Sequence, residues 1–310
     1  MAERSPAISV IICTRDRAET LRETLRSVLK AVRASTVHCE VIVVDNGSRD
    51  ATRTVVEAAQ AGLSQPRYVY EPRPGLSRAR NAGVERARGT YVAFTDDDCL
   101  VSREWLASIC TAFEQSPEVA GVFGQVRALD GMSDRHAVAI KMTEQPQRFR
   151  FPCYPVTIGH GNNMAFRREA LRAVGPFDVA LGAGGPLRAG EDLDLAYRLL
   201  RHGDTLMYDP RCVISHRPRD TAAQVRATHW RNAIGLGACF GKHMLRGDLH
   251  ACKCVYWFLL GLPKSWVLAL RRGERQEMLA RWLYAVGVPC GMLKRLGHTL
   301  LVSLANGRGQ

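Results

Sequence analysis

Asp96-Asp97-Asp98 follows directly on Tyr91-Val-Ala-Phe-Thr95. Five residues with strand preferences thus run into three adjacent carboxylates. Such neighbours repel and raise one another's pKa unless positive charge sits among them, so stability alone is a poor reason for the cluster. Oxygen ligands at the mouth of a strand suit a hard divalent cation such as Mg²⁺ or Mn²⁺. Magnesium in particular takes one or two carboxylates and fills its shell with phosphate oxygens. The triplet alone leaves two readings: a metal-diphosphate site at a strand's C-terminal end, or a solvated acidic turn capping a helix that starts near Ser102.

A second acidic group, Gly190-Glu191-Asp192, follows the flexible stretch Gly182-Ala-Gly-Gly-Pro186 and opens a helix carrying Leu193, Leu195, Ala196, Leu199 and Leu200. Capping of the helix dipole would explain Asp192, yet Asp194 alone would serve that purpose. Glu191 and Asp192 beside a glycine lid also suit a catalytic acid/base position.

The elements that must position these groups are legible from hydrophobic spacing. Ile8–Cys13, Glu40–Val44, Arg67–Tyr70 and Tyr91–Thr95 read as strands. Between them, Leu21, Leu25, Val28, Leu29 and Val32 follow helical spacing. The segment carrying Val55, Val56 and Ala59, capped by Ser48 or Asp50, and the segment Arg78–Ala87 are the next helices. This alternation predicts a mostly parallel sheet flanked by helices, with ligands outside the carboxyl ends of the strands. Thr14–Arg17, Asp45–Ser48 and Asp96–Asp98 each follow such an end, so all three should face one crevice. That convergence favours the site reading of the triplet. Further on, Trp105–Phe113 and Arg167–Val174 read as helices, Val119–Val126 as a strand, and Thr205–Tyr208 and Val213–Ile214 as two short strands. Ala128–Tyr154 shows no clear period and is expected to be an excursion.

The ordered pieces resemble the family 2 glycosyltransferases, inverting enzymes with the GT-A fold. The resemblance rests on Val10–Arg17, Val43–Asp50, Gly75–Gly83, Phe94–Asp98, Asn163–Arg168 and Gly190–Leu195, and covers about residues 8 to 219. It implies a nucleoside-diphosphate sugar as donor, contacted by Thr14, Arg15, Asp45, Asn46, Arg80, Asp96 and Asp97. Thr14 and Asp45 would meet the base, Arg80 the base or diphosphate, and Asp96 the ribose. Asp98 would bind Mg²⁺ or Mn²⁺, and His216 matches a position that in some members adds a metal ligand; a buried structural histidine is the alternative. Asp192 would be the general base toward an acceptor hydroxyl, with Glu191 beside it. Arg217 and Arg219 are read as solvated or as phosphate contacts. Cys13 and Arg15 depart from the proline and tyrosine of many relatives, which leaves stacking on the base open.

Ten cysteines without CxxC pairs or zinc spacing fit reduced thiols in a cytosolic compartment, and no signal peptide is visible behind Met1. The net charge of +13 is uneven: Arg217–Gln310 holds 15 Lys+Arg against 4 Asp+Glu, and four of the five tryptophans. Basic residues among Trp and Leu suit an anionic membrane surface better than nucleic acid, for which no motif is present. Val255–Leu262, interrupted by Pro263, and Trp282–Leu293, containing Pro289, are too short to span a bilayer. The expected organisation is a catalytic domain at 1–219 and a basic, Trp-rich helical region at 220–310. The protein would then be cytoplasmic and peripheral on the inner face of the membrane, serving a glycan or lipid-linked acceptor in envelope polysaccharide or glycolipid assembly. A packing or homo-oligomer role for these helices is the alternative. Truncation near Arg219 is expected to abolish membrane association without unfolding the chain. Gly237-Ala-Cys-Phe-Gly241-Lys242-His243 looks like a phosphate loop but is one residue short and lacks the final Ser or Thr. Competing functions are a sugar-nucleotide pyrophosphorylase, which would need a glycine-rich first loop, and a non-catalytic scaffold, which would need none of Asp96, Asp98 and Asp192.

Overall fold

The computed structural model describes residues 6–59, 66–129, 138–271 and 275–307. The chain divides into two compact units, one of Met1–Phe177 with Leu195–Arg219, the other of Asp178–Asp194 with Asp220–Gln310.

In the first unit, strands β1 (Ile8–Thr14), β2 (Cys39–Asp45), β3 (Arg67–Tyr70) and β4 (Tyr91–Asp96) alternate with helices α1 (Ala18–Ala34), α2 (Thr52–Ala59) and α3 (Leu76–Arg86). They pair in parallel in the order β3-β2-β1-β4. The sheet continues through β5 (Cys99–Val101), β6 (Val119–Ala128), β7 (Gln147–Phe149), β8 (Asn163–Arg167) and β9 (Thr205–His216). The strand β8 enters antiparallel between β4 and β6, β6 runs parallel to β9, and β5 and β7 both pair antiparallel with β9. Helices α4 (Trp105–Glu114) and α5 (Arg168–Val174) complete the elements lying wholly in this unit, and Leu195–His202 of α6 (Glu191–His202) joins them.

Alternate residues of the strands feed two cores, one on each face of the sheet. Ile8, Val10 and Ile12 pack with Leu21, Leu25 and Val28 of α1 and with Trp105 and Phe113 of α4. Ile11, Ile42 and Val44 pack with Ala79 and Ala82 of α3, Leu171 of α5, and Leu195 and Leu199 of α6. Because both faces are covered, the only polar places left on the parallel strands are their ends. Asp50 joins two of those ends: its Oδ2 accepts from the Ala18 N–H at the start of α1, and its Oδ1 from the Thr52 N–H at the start of α2.

Three expectations change. The segment Thr205–His216 is one strand, not two, because a register shift absorbs Pro210 to Cys212 between the pairs Gly124–Asp209 and Gln125–Val213. The helix after the acidic triplet starts at Trp105, with β5 in between, so Asp96–Asp98 caps no helix near Ser102. Of the excursion, residues 130–137 lie outside the described part, and Gln147–Phe149 is an edge strand.

The second unit holds α7 (Ala222–Met244), α8 (Leu249–Arg271), α9 (Arg275–Gly307) and the loop with the first turn of α6. The helix α7 starts with a capping box: Thr221 Oγ1 accepts from the Gln224 N–H, and the Gln224 side chain accepts from the Thr221 N–H. Both prolines expected to interrupt the apolar runs sit inside α8 and α9. Pro263 and Pro289 are exposed, where water can take the carbonyl that each ring leaves unpaired. Among the described residues no helix is long and apolar enough to cross a membrane.

Candidate active site

The carboxyl ends of β1 and β4 meet because Cys13 is in register with Asp96. The register of β5 on β9 sets Cys99 opposite His216, which brings the imidazole to Asp98. Four elements therefore deliver the cluster: the β1 end with Thr14 and Arg17, the β4 end with the triplet, α3 with Arg80, and the β9 end with His216 and Arg219.

Within it every acid meets a donor. Thr14 Oγ1 donates to Asp97 Oδ2 at 2.8 Å. Arg17 Nη1 donates to Asp97 Oδ1 at 3.1 Å and to Asp98 Oδ2 at 2.8 Å. Arg219 Nη1 reaches the same Asp98 Oδ2 at 3.3 Å, and His216 Nε2 stands 3.4 Å from Asp98 Oδ1. The other ring nitrogen of His216 lies 3.2 Å from Val138 O, so the ring is held between that carbonyl and Asp98. Arg80, almost fully buried against Phe94 and Phe177, donates to Gly161 O at 3.0 Å and to Asp96 Oδ1 at 3.4 Å.

Burial and partners separate the two inner acids. Burial pushes the Asp97 carboxyl up to about 7, against the pull of Arg17. Burial also opposes ionisation of Asp98, but His216, Arg17 and Arg219 outweigh it and hold that carboxyl well below its usual range. Asp98 is thus the permanent anion of the group.

Asp98 Oδ1, His216 Nε2 and Cys99 Sγ lie within 4.8 Å of one another. The oxygen and the imidazole nitrogen fit Mn²⁺ or Mg²⁺, whereas burial pushes the Cys99 thiol well above its ordinary range and keeps it protonated. Arg219 Nε is buried with no hydrogen-bond partner among the described residues. An unpaired guanidinium N–H beside a carboxylate–imidazole pair is the donor arrangement that an anion accompanied by a cation satisfies.

The remaining expected residues have other partners, although Asp45 is in register with Thr14. Asp45 accepts from Tyr68 OH at 2.6 Å and from the Ser48 N–H at 2.8 Å. Asn46 donates to Glu71 O and Arg73 O at 2.9 Å each and accepts from the Gly75 N–H at 2.7 Å, pinning the loop that leads into α3. Arg15 is exposed beside Asp16. Glu191 and Asp192 open α6; Glu191 is buried, and half-exposed Asp192 accepts from the Leu193 N–H at 2.8 Å. Asp194 does not play the capping part assigned to it: it is fully buried and paired with Lys242 and His243. Sequence reading missed Arg17, whose signal was its place in the polar loop after β1, and undervalued Arg219, read as solvated like Arg217. Arg217 indeed pairs with Glu23 at the surface.

Comparison with known proteins gives this geometry a family. The family described as Glycosyl transferase family 2 matches residues 9–175, more than half of the chain. The chain belongs to glycosyl transferase family 2. Succinoglycan biosynthesis protein ExoM of Rhizobium meliloti is 29% identical over 221 residues, 68% of this chain and 66% of that protein. Pre-mycofactocin glycosyltransferase of Mycobacterium tuberculosis is 30% identical over 219 residues, 68% of this chain and 43% of that protein. The match thus spans less than two thirds of either relative. Among solved structures, mannosyltransferase PcManGT from Pyrobaculum calidifontis, in complex with GDP-Man and Mn²⁺, has a TM-score of 0.62 at 19% identity, covering 95% of this chain and 88% of that one. S. aureus TarS 1-349 in complex with UDP-GlcNAc has a TM-score of 0.55 at 16% identity, covering 74% and 66%. The fold is that of these GT-A glycosyltransferases.

Proposed function

We propose that the protein moves a sugar from a nucleoside-diphosphate sugar to an acceptor hydroxyl, with inversion at the anomeric carbon. The observation that carries this is the Asp98–His216 pair flanked by Arg17 and Arg219 at the end of β4. A divalent cation held by Asp98 and His216 would supply the positive charge that the diphosphate needs as it leaves. Arg17 and Arg219 would add two guanidinium groups suited to phosphate oxygens. Thr14, Asp45 and Arg80 would face the nucleoside, Asp96 the ribose. Asp192, half-exposed in the first turn of α6, would take the proton from the acceptor hydroxyl, with Glu191 behind it. Inversion then needs one base and no covalent carboxylate intermediate.

Relatives named for succinoglycan synthesis and for glycosyl transfer support a role in polysaccharide or glycolipid assembly. A membrane surface is the place we assign to the second unit. Trp257, Leu259, Leu260, Trp266 and Val267 of α8 and Trp282, Leu300 and Leu301 of α9 are exposed, and residues 249–310 contain nine Lys+Arg against two acids. Apolar side chains in a basic, acid-poor setting favour an anionic bilayer over a second copy of the same positive surface. Flotation with phosphatidylglycerol vesicles, compared with phosphatidylcholine vesicles, tests this; equal recovery with both, or none with either, would contradict it.

The activity test is release of nucleoside diphosphate from UDP-glucose, UDP-GlcNAc and GDP-mannose with Mn²⁺. Turnover of one donor, reduced at least 100-fold by Asp98→Ala and by Asp192→Asn, is expected. Turnover that survives both substitutions would overturn the assigned roles.

A further inference from the structure

The discarded phosphate-loop motif lies within α7, and its small residues form two stripes. Gly237 and Gly241 face α9: a Cβ on Gly237 would stand 1.9 Å from Val288 O, and one on Gly241 3.2 Å from Met292 Cα. Gly235, Cys239, Lys242 and His243 occupy a second face, at spacings of four, seven and eight. A Cβ on Gly235 would stand 2.4 Å from the Ala189 carbonyl carbon, so α7 touches the backbone just ahead of Glu191. Gly190, at φ +90°, makes that approach from the other side, its own would-be Cβ 2.7 Å from Gly235 O.

The polar members of the same face meet two acids. Lys242 Nζ is 2.8 Å from Asp194 Oδ1 and 3.0 Å from Asp178 Oδ2. His243 Nε2 is 3.0 Å from Asp194 Oδ1, and Arg295 Nη1 of α9 donates to Asp178 Oδ2 at 3.0 Å. Asp194, Cys239 and His243 also lie within metal-ligand distance of one another, but the Lys242 ammonium already occupies the carboxylate oxygen that a metal ion would need. This is a charge lock in which each acid meets a cation.

We propose that Lys242, with His243, is a positioning residue for the transfer reaction: through Asp194 it fixes the turn of α6 that carries Glu191 and Asp192. The inference rests on Asp192 being the base. Asp194 lies two residues beyond Asp192, and its N–H donates to Gly190 O at 3.0 Å, closing that first turn. Unwinding or rotating the turn would draw Asp194 away from Lys242 and His243 and leave a buried carboxylate unpaired, so the turn has one arrangement. The second unit therefore does more than face a membrane. Cutting at Arg219 would strip Asp178 and Asp194 of Lys242, His243 and Arg295, so such a truncation does not separate attachment from folding as the sequence suggested. Point substitutions in the full chain do.

The experiment compares full-length wild type, Lys242→Met and Lys242→Arg by hydrogen exchange, by nucleotide titration and by nucleoside diphosphate release from the three donors above. In Lys242→Met the amides of Asp194 to Ala196 should exchange at least tenfold faster, with Tyr91–Asp96 unchanged. Its affinity for the nucleoside diphosphate should stay within twofold of wild type while kcat falls at least tenfold at unchanged donor KM. Lys242→Arg should recover most of both effects. Wild-type exchange at Asp194–Ala196, or a parallel loss of nucleotide affinity and turnover, would overturn the proposal. Where Lys242→Met does not fold, the Asp194→Asn, Lys242→Met pair removes charge from both sides, and the same exchange criteria decide. A wild-type chain that turns over no donor removes the transferase reading, and exchange then decides the positioning claim by itself.

Discussion

The two acidic clusters of this protein are built from the same side chains and are left in different states. In the second unit, Asp178 and Asp194 face Lys242, Arg295 and His243, and Asp194 is wholly buried. Lys242 and Arg295 hold the Asp178 carboxyl below its usual range despite burial. In the first unit three acids crowd one strand end, and Arg17 and Arg219 share a single oxygen of Asp98. Two acids well apart in sequence, each with its own cation, make a structural lock, whereas three adjacent acids that must share their cations make a place where a further cation relieves the crowding.

Substitutions that remove one charge at a time sharpen this contrast. Asp194→Ala leaves Lys242 and His243 without their buried carboxylate and should destabilise the chain by about 3–5 kcal/mol, read from urea unfolding. Asp98→Ala leaves half-exposed Arg17 its second partner Asp97 and should cost less, about 1–2 kcal/mol in the same assay. Equal losses from the two would erase the distinction. Gly237→Ala would gain helix propensity but force a methyl group into Val288 O, for a net loss of about 1–3 kcal/mol by thermal unfolding. Arg219→Ala should weaken nucleoside diphosphate binding by about tenfold, or about 1.4 kcal/mol, with little effect on stability. Smallest is Arg15→Ala, whose one ion pair among the described residues is the exposed one with Asp16 at 3.7 Å; stability should move by less than about 0.5 kcal/mol.

The parallel half of the sheet was legible because β1 to β4 are short apolar runs separated by helical spacing, and each boundary fell within two residues of the observed one. What escaped was whatever depended on partners distant in sequence. The insertion of β8 between β4 and β6 leaves no trace in the local pattern of Asn163–Arg167. Asp209 accepting from the Arg211 N–H makes a bulge that reads locally as the end of a strand. Pro263 and Pro289 read as breakers because a sequence does not say which side of a helix meets water. In the site, Asp98 could be named from its strand end and His216 from the family resemblance, but Arg17 and Arg219 acquire meaning only once β1 and β9 bring them to one carboxylate oxygen. Asp194 misled for the converse reason: its neighbours suggested a helix cap, whereas its partners lie 48 and 49 residues away in sequence, on α7.

The central claim is that Asp98 and His216 form a cation-dependent nucleoside diphosphate site. Calorimetric titration of the full chain with UDP and GDP, with and without Mn²⁺, tests it most directly, with Asp98→Ala alongside. One nucleotide should bind only with Mn²⁺ present, and Asp98→Ala should weaken it at least 100-fold while remaining folded. Folded wild-type protein that binds neither nucleotide, or binding indifferent to Mn²⁺ and to Asp98→Ala, would contradict the account.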